Sequence, residues 1–301
     1  MANLTKRAIR GDLAPLVGDL GPEGYLTTTA AGNANGLTFV CDQLYNYGAD
    51  QIRNIWALPT SGTQEGKYRQ IEDFDGTTPA SSSTSTIKGT AWSAALASAV
   101  TIELYRYSPQ FYTIAINRAM QSAWPWIFLP ALDGSITLTA NDFRYTLPTG
   151  ITPEMVRRVM VEGDSPFNAM PSPTGNRDDY VFNPDNTEIW FNMRDFSRLY
   201  DFTTSKKLYI AAQKYLTALP ADTTMGTIAS DTTATVELVV TTRAYRLFLR
   251  FCKAEFFTLL AGTASNPDRD VHVKLAAEAW AEARQFAPIE GMVAMATTYG
   301  W

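Results

Sequence analysis

The chain reads as an α+β protein, with two antiparallel β-modules of sandwich-like or barrel-like build, a central helix and a C-terminal αα-hairpin. Three observations predict this. Clusters of β-branched and aromatic residues alternate with Gly, Pro and Ser through residues 25–107 and again through 131–219, the punctuation of short strands and turns. Ser108-Pro109 writes a helix start between them. From about residue 234 to 287 the apolar period changes to 3.6.

Residues 1–24 hold an N-terminal helix, expected over 3–20 with Asn3 as its cap and Leu4, Ala8 and Leu13 on one face. Gly11, Pro15 and Gly18 weaken it. The β-rich module at 25–107 takes its strands from "LTFV", "QIRNIWAL", "KYRQIEDF", "TSTIKGTAW" and "VTIELYRY", with turns at Gly62, Gly66, Gly76 and Gly89. In the connecting helix at 108–130, Ser108 offers a capping side chain and Pro109 lacks only an N–H that would be orphaned anyway. Tyr112, Ala115, Ile116, Ala119 and Ala123 share one face, and Pro125 ends or kinks the helix.

The second β-module, 131–219, draws on "SITLTA", "FRYTLP", "VRRVMVEG", "DYVFN", "TEIWF" and "KLYIAAQKYL", and "NPDN" at Asn183 to Asn186 makes a hairpin turn. The helical hairpin spans 232–288. Val240, Ala244, Leu247, Phe248 and Phe251 stripe its first helix, which Gly262 terminates. Asn266 caps the second helix and Pro267 starts it; Val273, Ala276, Ala277, Trp280 and Ala283 line one side until Pro288 stops it. Residues 289–301 are an apolar C-terminal tail.

Composition narrows the function. The 301 residues are 46% hydrophobic but only 18% charged, so Thr, Ser, Asn and Gln must dress the surface, as suits a subunit that hides area in contacts. A net charge of −5 argues against gripping nucleic acid over a broad basic face. Cys41 and Cys252 are far apart with no partner spacing, which points away from disulfides or thiolate metal sites and toward synthesis in a reducing cytoplasm. No apolar h-region follows Lys6, Arg7 and Arg10, and no run approaches the roughly 18 to 20 apolar residues of a spanning helix.

Motifs for covalent chemistry fail on inspection. His272 is the one histidine, so any triad or multi-histidine metal site would have to recruit it, and it reads as an ordinary helix residue. "GTQEGK" at 62–67 has three residues between its glycines where a phosphate loop needs four, and Tyr68 replaces the hydroxyl residue; it reads as a hairpin turn. "GDSPF" has Phe167 where a nucleophile elbow needs Gly. Asp73 and Asp75 lack the later bidentate Glu of a calcium loop. No catalytic, cofactor-binding or metal-ligating residue is therefore nominated.

Interface candidates remain. Arg243, Arg246, Arg250 and Lys253, spaced 3, 4 and 3, share one face of the first hairpin helix and could meet an acidic neighbouring subunit. In the tail, Met292, Met295, Tyr299 and Trp301 are apolar residues suited to anchoring on another subunit. Trp124, Trp126, Phe128 and Leu129 read as core.

In order, "LTKRAIRGDLAPLVGDL", the turn-rich "SGTQEGKYRQIEDF" module, "SPQFYTIAINRAM", a second β-module and a closing αα-hairpin resemble the head-to-tail connector, neck or adaptor proteins of tailed bacteriophages. The resemblance covers most of the chain and lies in spacing, so no functional residue carries over. It implies a non-enzymatic virion protein at the head–tail interface, made in the host cytoplasm. Its partners would be its own copies in a ring, twelve if the ring matches the portal, together with the portal protein and a tail or other neck protein. Double-stranded DNA would pass through the lumen without sequence-specific contact, and no membrane is involved. The β-modules are larger than the connector role requires. A second expectation is accordingly a tail-associated protein that binds host carbohydrate through exposed aromatics such as Trp190 or Tyr180.

Overall fold

The computed structural model describes residues 4–45, 47, 49–76, 83–139, 142–162, 170–171, 180–191, 206–222, 226–228, 235–236, 242–263 and 268–299. It divides into two compact units, one of Met1–Trp126 with Thr217–Trp301 and the other of Ile127–Leu216.

The first unit opens with a two-residue strand, β1 (Leu4–Thr5), and a helix, α1 (Lys6–Leu16). The cap is Thr5, not Asn3: its hydroxyl accepts from Ala8 N–H at 3.2 Å, because Leu4 is already extended in a strand. The buried face is Lys6, Ile9, Arg10, Leu13 and Ala14, while Ala8 is exposed. The helix also stops short of residue 20. Gly18 turns left-handed at φ 74°, and Asp19 N–H returns to Ala14 O at 2.9 Å, closing the last turn.

Next come β2 (Gly21–Thr27), β3 (Thr38–Val40), α2 (Ala49–Ile52), β4 (Trp56–Pro59), β5 (Arg69–Asp75), β6 (Thr84–Ile87) and β7 (Thr101–Tyr105). The sheet order is β2-β7-β4-β5-β6-β3, antiparallel throughout. Beyond β2 the chain reaches β3, with Thr29 N–H donating to Val40 O at 3.0 Å and a bridge from Ala30 to Val40. The sheet thereby curls back toward itself as a six-stranded, barrel-like layer, joined at its ends by this one bridge. Phe39, Ile71, Ile87, Trp92 and Ile102 fill the interior, each side chain adding about 1.5–3 kcal/mol by burial. The indole N–H of Trp92 is satisfied by Lys67 O at 2.7 Å.

"QIRNIWAL" is not one strand. Ile52 and Ile55 are both core residues, yet three apart in a strand they would face opposite ways; a helical turn at α2 brings both inward before β4 begins. At Gly36, a Cβ would lie 2.3 Å from Trp92 O and φ is 67°, so only glycine lets this loop close on the barrel.

α3 (Pro109–Ser122) starts where the sequence predicts, with Tyr112, Ala115, Ile116, Ala119 and Ala123 all fully buried. Ser108 contributes no side-chain cap bond; its carbonyl takes Phe111 N–H at 2.9 Å instead. The helix ends before Pro125, which follows Trp124 through a cis peptide. Trp124 and Trp126 are half-buried.

The second unit contains β8 (Leu129–Thr137), β9 (Arg144–Thr146), β10 (Val156–Val161), β11 (Met170–Pro171), β12 (Tyr180–Phe182), β13 (Glu188–Phe191) and β14 (Lys207–Lys214). Two sheets form, β11-β10-β14-β8 and β12-β13-β9. One core draws on both, with Tyr145, Ile189 and Phe191 from the second sheet and Val159, Val161, Leu208 and Ile210 from the first. This is the packing of a sandwich. The "NPDN" turn joins β12 to β13: Asn186 is left-handed at φ 56°, and Asn183 Oδ1 accepts from the N–H groups of Thr187 and Glu188, each at 2.8 Å.

Returning to the first unit, β15 (Thr235–Val236) pairs with β1. Then α4 (Thr242–Gly262) and α5 (Arg269–Tyr299) pack against each other, and α4 also packs on α3. Val240, Asn266 and Pro267 lie outside the described residues, as does Trp301. The predicted α4 stripe is buried at Ala244, Leu247, Phe248 and Phe251. The α5 stripe is rotated from the expected one. His272, Ala276, Ala279, Ala283 and Ala287 are buried, whereas Val273 is 49% exposed and Ala277 is also on the surface. Small alanines let the backbone of α5 approach the bulky Phe side chains of α4, which branched valines would hold off. Pro288 does not stop α5; the helix carries it and continues to Tyr299, so the apolar tail is helical over 289–299. Pro288 withdraws one backbone hydrogen bond, and the helical ladder resumes beyond it.

Candidate functional site

β7 sets the polar centre of the first unit by strand alternation. Ile102 and Leu104 face the barrel interior, so Glu103 and Tyr105 face away from it and meet α1. The Glu103 carboxylate accepts from Arg7 Nε at 3.2 Å, Arg10 Nη2 at 3.2 Å and Tyr105 Oη at 2.7 Å, while Arg10 Nε donates to Tyr105 Oη at 2.9 Å. Both the Arg10 and Glu103 side chains are at most 5% exposed. Burial, more than any neighbouring charge, pushes the Tyr105 phenol far above its ordinary range. A carboxylate held by three donors from α1 and β7 is a clamp between helix and sheet.

Asp19 plays a similar part at the far end of α1. It accepts from the backbone N–H groups of Leu20, Arg106 and Tyr107 at 2.6, 2.6 and 3.1 Å and from Tyr112 Oη at 2.6 Å. Burial first, and Asp19 second, drive the Tyr112 phenol well above the normal range. At the helix start, Lys6 Nζ meets Asp222 Oδ1 at 2.7 Å with both side chains 1% exposed. A shorter contact links Tyr245 of α4 to Asp12. The buried charges of α1 are thus spent on attaching it.

The predicted basic line of α4 is split. Arg250 Nε and Lys253 Nζ reach Glu282 of α5 at 3.3 and 3.2 Å, and the Arg250 guanidinium lies 3.9 Å from the centre of the Phe286 ring. Arg243 and Arg246 are exposed and make no ion pair among the described residues. One helix face therefore divides into an internal half and a free half. Sequence spacing could not show this, because Glu282 lies on the other helix. Met292, Met295 and Tyr299 are in the last turns of α5.

His272 is buried in α5, edge-on to Tyr107 and stacked on Phe257 at 6.3 Å between ring centres. Cys41 and Cys252 are free and buried, and burial raises both thiols above their ordinary pKa. Phe167 lies outside the described residues. "GTQEGK" forms the β4–β5 connection, with Gly62 and Gly66 both at φ 79°. Asp73 sits in β5 and pairs with Arg53 at 2.8 Å. Neither aromatic named for sugar binding is bare. Trp190 carries the Arg144 guanidinium 4.6 Å above its ring and donates its indole N–H to Glu188, and Tyr180 packs edge-on to Phe182.

A recess that the sequence does not reveal lies beside the barrel in the first unit. About 290 Å³ in volume, it is lined by Trp56, Tyr68, Arg69, Gln70, Lys88, Thr90, Ser108, Gln110 and Gly226. Arg69 is seated by backbone carbonyls alone among these contacts: Thr90 O at 2.7 Å, Tyr68 O at 2.8 Å, Gly226 O at 2.9 Å and Ala91 O at 3.5 Å. Burial lowers its pKa from the usual guanidinium value. Gly226, at φ 81°, is placed so that a Cβ would come within 2.5 Å of Arg69 Nη1.

No protein-family model matches the chain, and no curated protein sequence matches it significantly. Among the described residues no helix is long and apolar enough to cross a membrane.

Proposed function

We propose that the chain is a structural, non-enzymatic virion subunit, a head-to-tail connector of a tailed phage. Copies close into a ring between portal and tail around the DNA channel, and assembly rests on surface complementarity. The observation that supports this best is the mismatch within the helical hairpin. α5 has 31 residues against 21 in α4, about 46 Å against about 32 Å. Contacts from Arg250 and Lys253 to Glu282, with Arg250 over Phe286, set the register, so the last turns of α5 run past the start of α4. That overhang includes Met295 and Tyr299, and Glu290 is the one charged residue of 289–301. An apolar helical end is suited to burial against a second chain. Arg243 and Arg246 offer charge complementarity on the same hairpin.

The test is native mass spectrometry and electron microscopy of the full chain beside a truncation after Pro288. Full-length protein is expected to form closed rings and the truncation to remain monomeric, its circular dichroism spectrum losing only the helical signal of residues 289–299. A full-length monomer that also fails to join particles lacking their tails would overturn the reading.

A further inference from the structure

We propose that the recess bounded by β4, β5, β6 and the start of α3 binds an anionic sugar residue of uronate type. This goes beyond the connector reading and does not depend on it.

Charge is the first argument. The whole chain carries more acidic than basic side chains, 30 against 25, yet the recess is lined by Arg69 and Lys88 with no carboxylate among its lining residues. Arg69 is already fixed by carbonyl dipoles, which hold the guanidinium without cancelling its charge, and one Nη2–H is left over from the four bonds it makes. Lys88 is exposed and makes no ion pair among the described residues. Two positive charges with no counter-charge in a concave wall attract one small anion.

The remaining lining argues for a sugar ring bearing that anion. Trp56 is half-buried in the wall, edge-on to Tyr68 with ring centres 5.5 Å apart, and supplies the apolar aromatic surface on which the C–H face of a pyranose packs. Around it are polar atoms with capacity to spare. Ser108 makes no cap bond with its hydroxyl. Gln110 uses its Oε1 to accept from Tyr68 Oη at 3.4 Å, leaving its amide N–H₂. Gln70 spends Nε2 on Asn54 O at 3.0 Å, leaving Oε1 as an acceptor. Mixed donors and acceptors beside one aromatic face match a ring of hydroxyls. The volume of about 290 Å³ is at the small end of ligand pockets and suits a single ring rather than a long oligosaccharide.

The experiment uses the full chain and three probes, methyl β-glucuronide, methyl β-glucoside and inorganic phosphate, followed by saturation-transfer NMR and calorimetric titration. Glucuronide is expected to bind saturably, with glucoside and phosphate each at least tenfold weaker, since one lacks the charge and the other the ring. Lys88→Ala should weaken glucuronide at least tenfold while leaving the thermal melt unchanged. Gln110→Ala should weaken both sugars by a common factor of three to ten. Absence of saturable glucuronide binding overturns the site. Phosphate as tight as glucuronide reduces it to an anion contact and overturns the sugar assignment. Unchanged binding in the folded Lys88→Ala protein places any binding elsewhere and also overturns it.

Discussion

Replacing Glu103 by Leu tests whether the charges beneath α1 act as a clamp. The change withdraws the acceptor of three hydrogen bonds and deprives the Arg10 guanidinium, 1% exposed, of its carboxylate. Removing one partner of a buried ion pair costs about 3–5 kcal/mol, because the other charge stays desolvated. In a unit of roughly 200 residues each kcal/mol lowers Tm by about 2–4 °C, so a fall of about 6–20 °C is expected by calorimetry. The partner experiment is the triple change Glu103→Leu, Arg10→Met and Tyr105→Phe, which leaves no fully buried polar partner stranded; Arg7, which also loses Glu103, is 30% exposed and can turn to water. It should recover at least half of the loss, as apolar replacement of a whole buried network often does. A single variant melting within 2 °C of the parent, or a triple variant less stable than the single, would show that packing of α1 rather than charge pairing holds this junction.

Alkali should unfold the protein steeply. Tyr105 and Tyr112 have folded pKa values raised above the unfolded value of about 10, so above that pH the unfolded chain releases protons that the folded chain retains, and stability falls as pH rises. With both nearly buried the loss is about 3 kcal/mol per pH unit from these two alone, and tyrosinate absorbance should show their phenols, with that of Tyr245, appearing only with the unfolding transition. The split basic line gives a third contrast: Arg250→Glu should cost about 1–2 kcal/mol in denaturant melts by losing Phe286 and repelling Glu282, whereas Arg243→Glu with Arg246→Glu should change stability by less than about 0.5 kcal/mol and abolish assembly.

Much of the architecture is legible from local signals. Ser108-Pro109 marks the start of α3 because proline geometry is intrinsic, and "NPDN" turns because asparagine bonds its own backbone wherever it is placed. Partner identity is what escapes such reading. The face of α5 is chosen by what α4 presents, so a line of alanines is buried while the more hydrophobic Val273 stays on the surface. Pro288 is carried within α5 although taken alone it predicts a stop. Barrel closure depends on Thr29 and Ala30 meeting Val40, which no periodicity encodes. The recess is the extreme case: Arg69 and Lys88 meet through the pairing of β5 with β6, and Gly226 joins them from 157 positions away.

The first unit is discontinuous, its two halves separated by the whole of Ile127–Leu216. Asn117 of α3 receives the returning strand like a stitch, Oδ1 taking Leu219 N–H at 2.9 Å and Nδ2 giving to Leu219 O at 3.1 Å. During translation the sandwich segment is therefore complete on the ribosome while β1, α1 and α3 still wait for β15 and the helical hairpin. The intervening unit, once folded, ties together what would otherwise be a long slack loop, shortening the effective closure that α3 and α4 must achieve. Variants that impair the sandwich should consequently slow docking of the helical hairpin on α3 without touching a single contact between them.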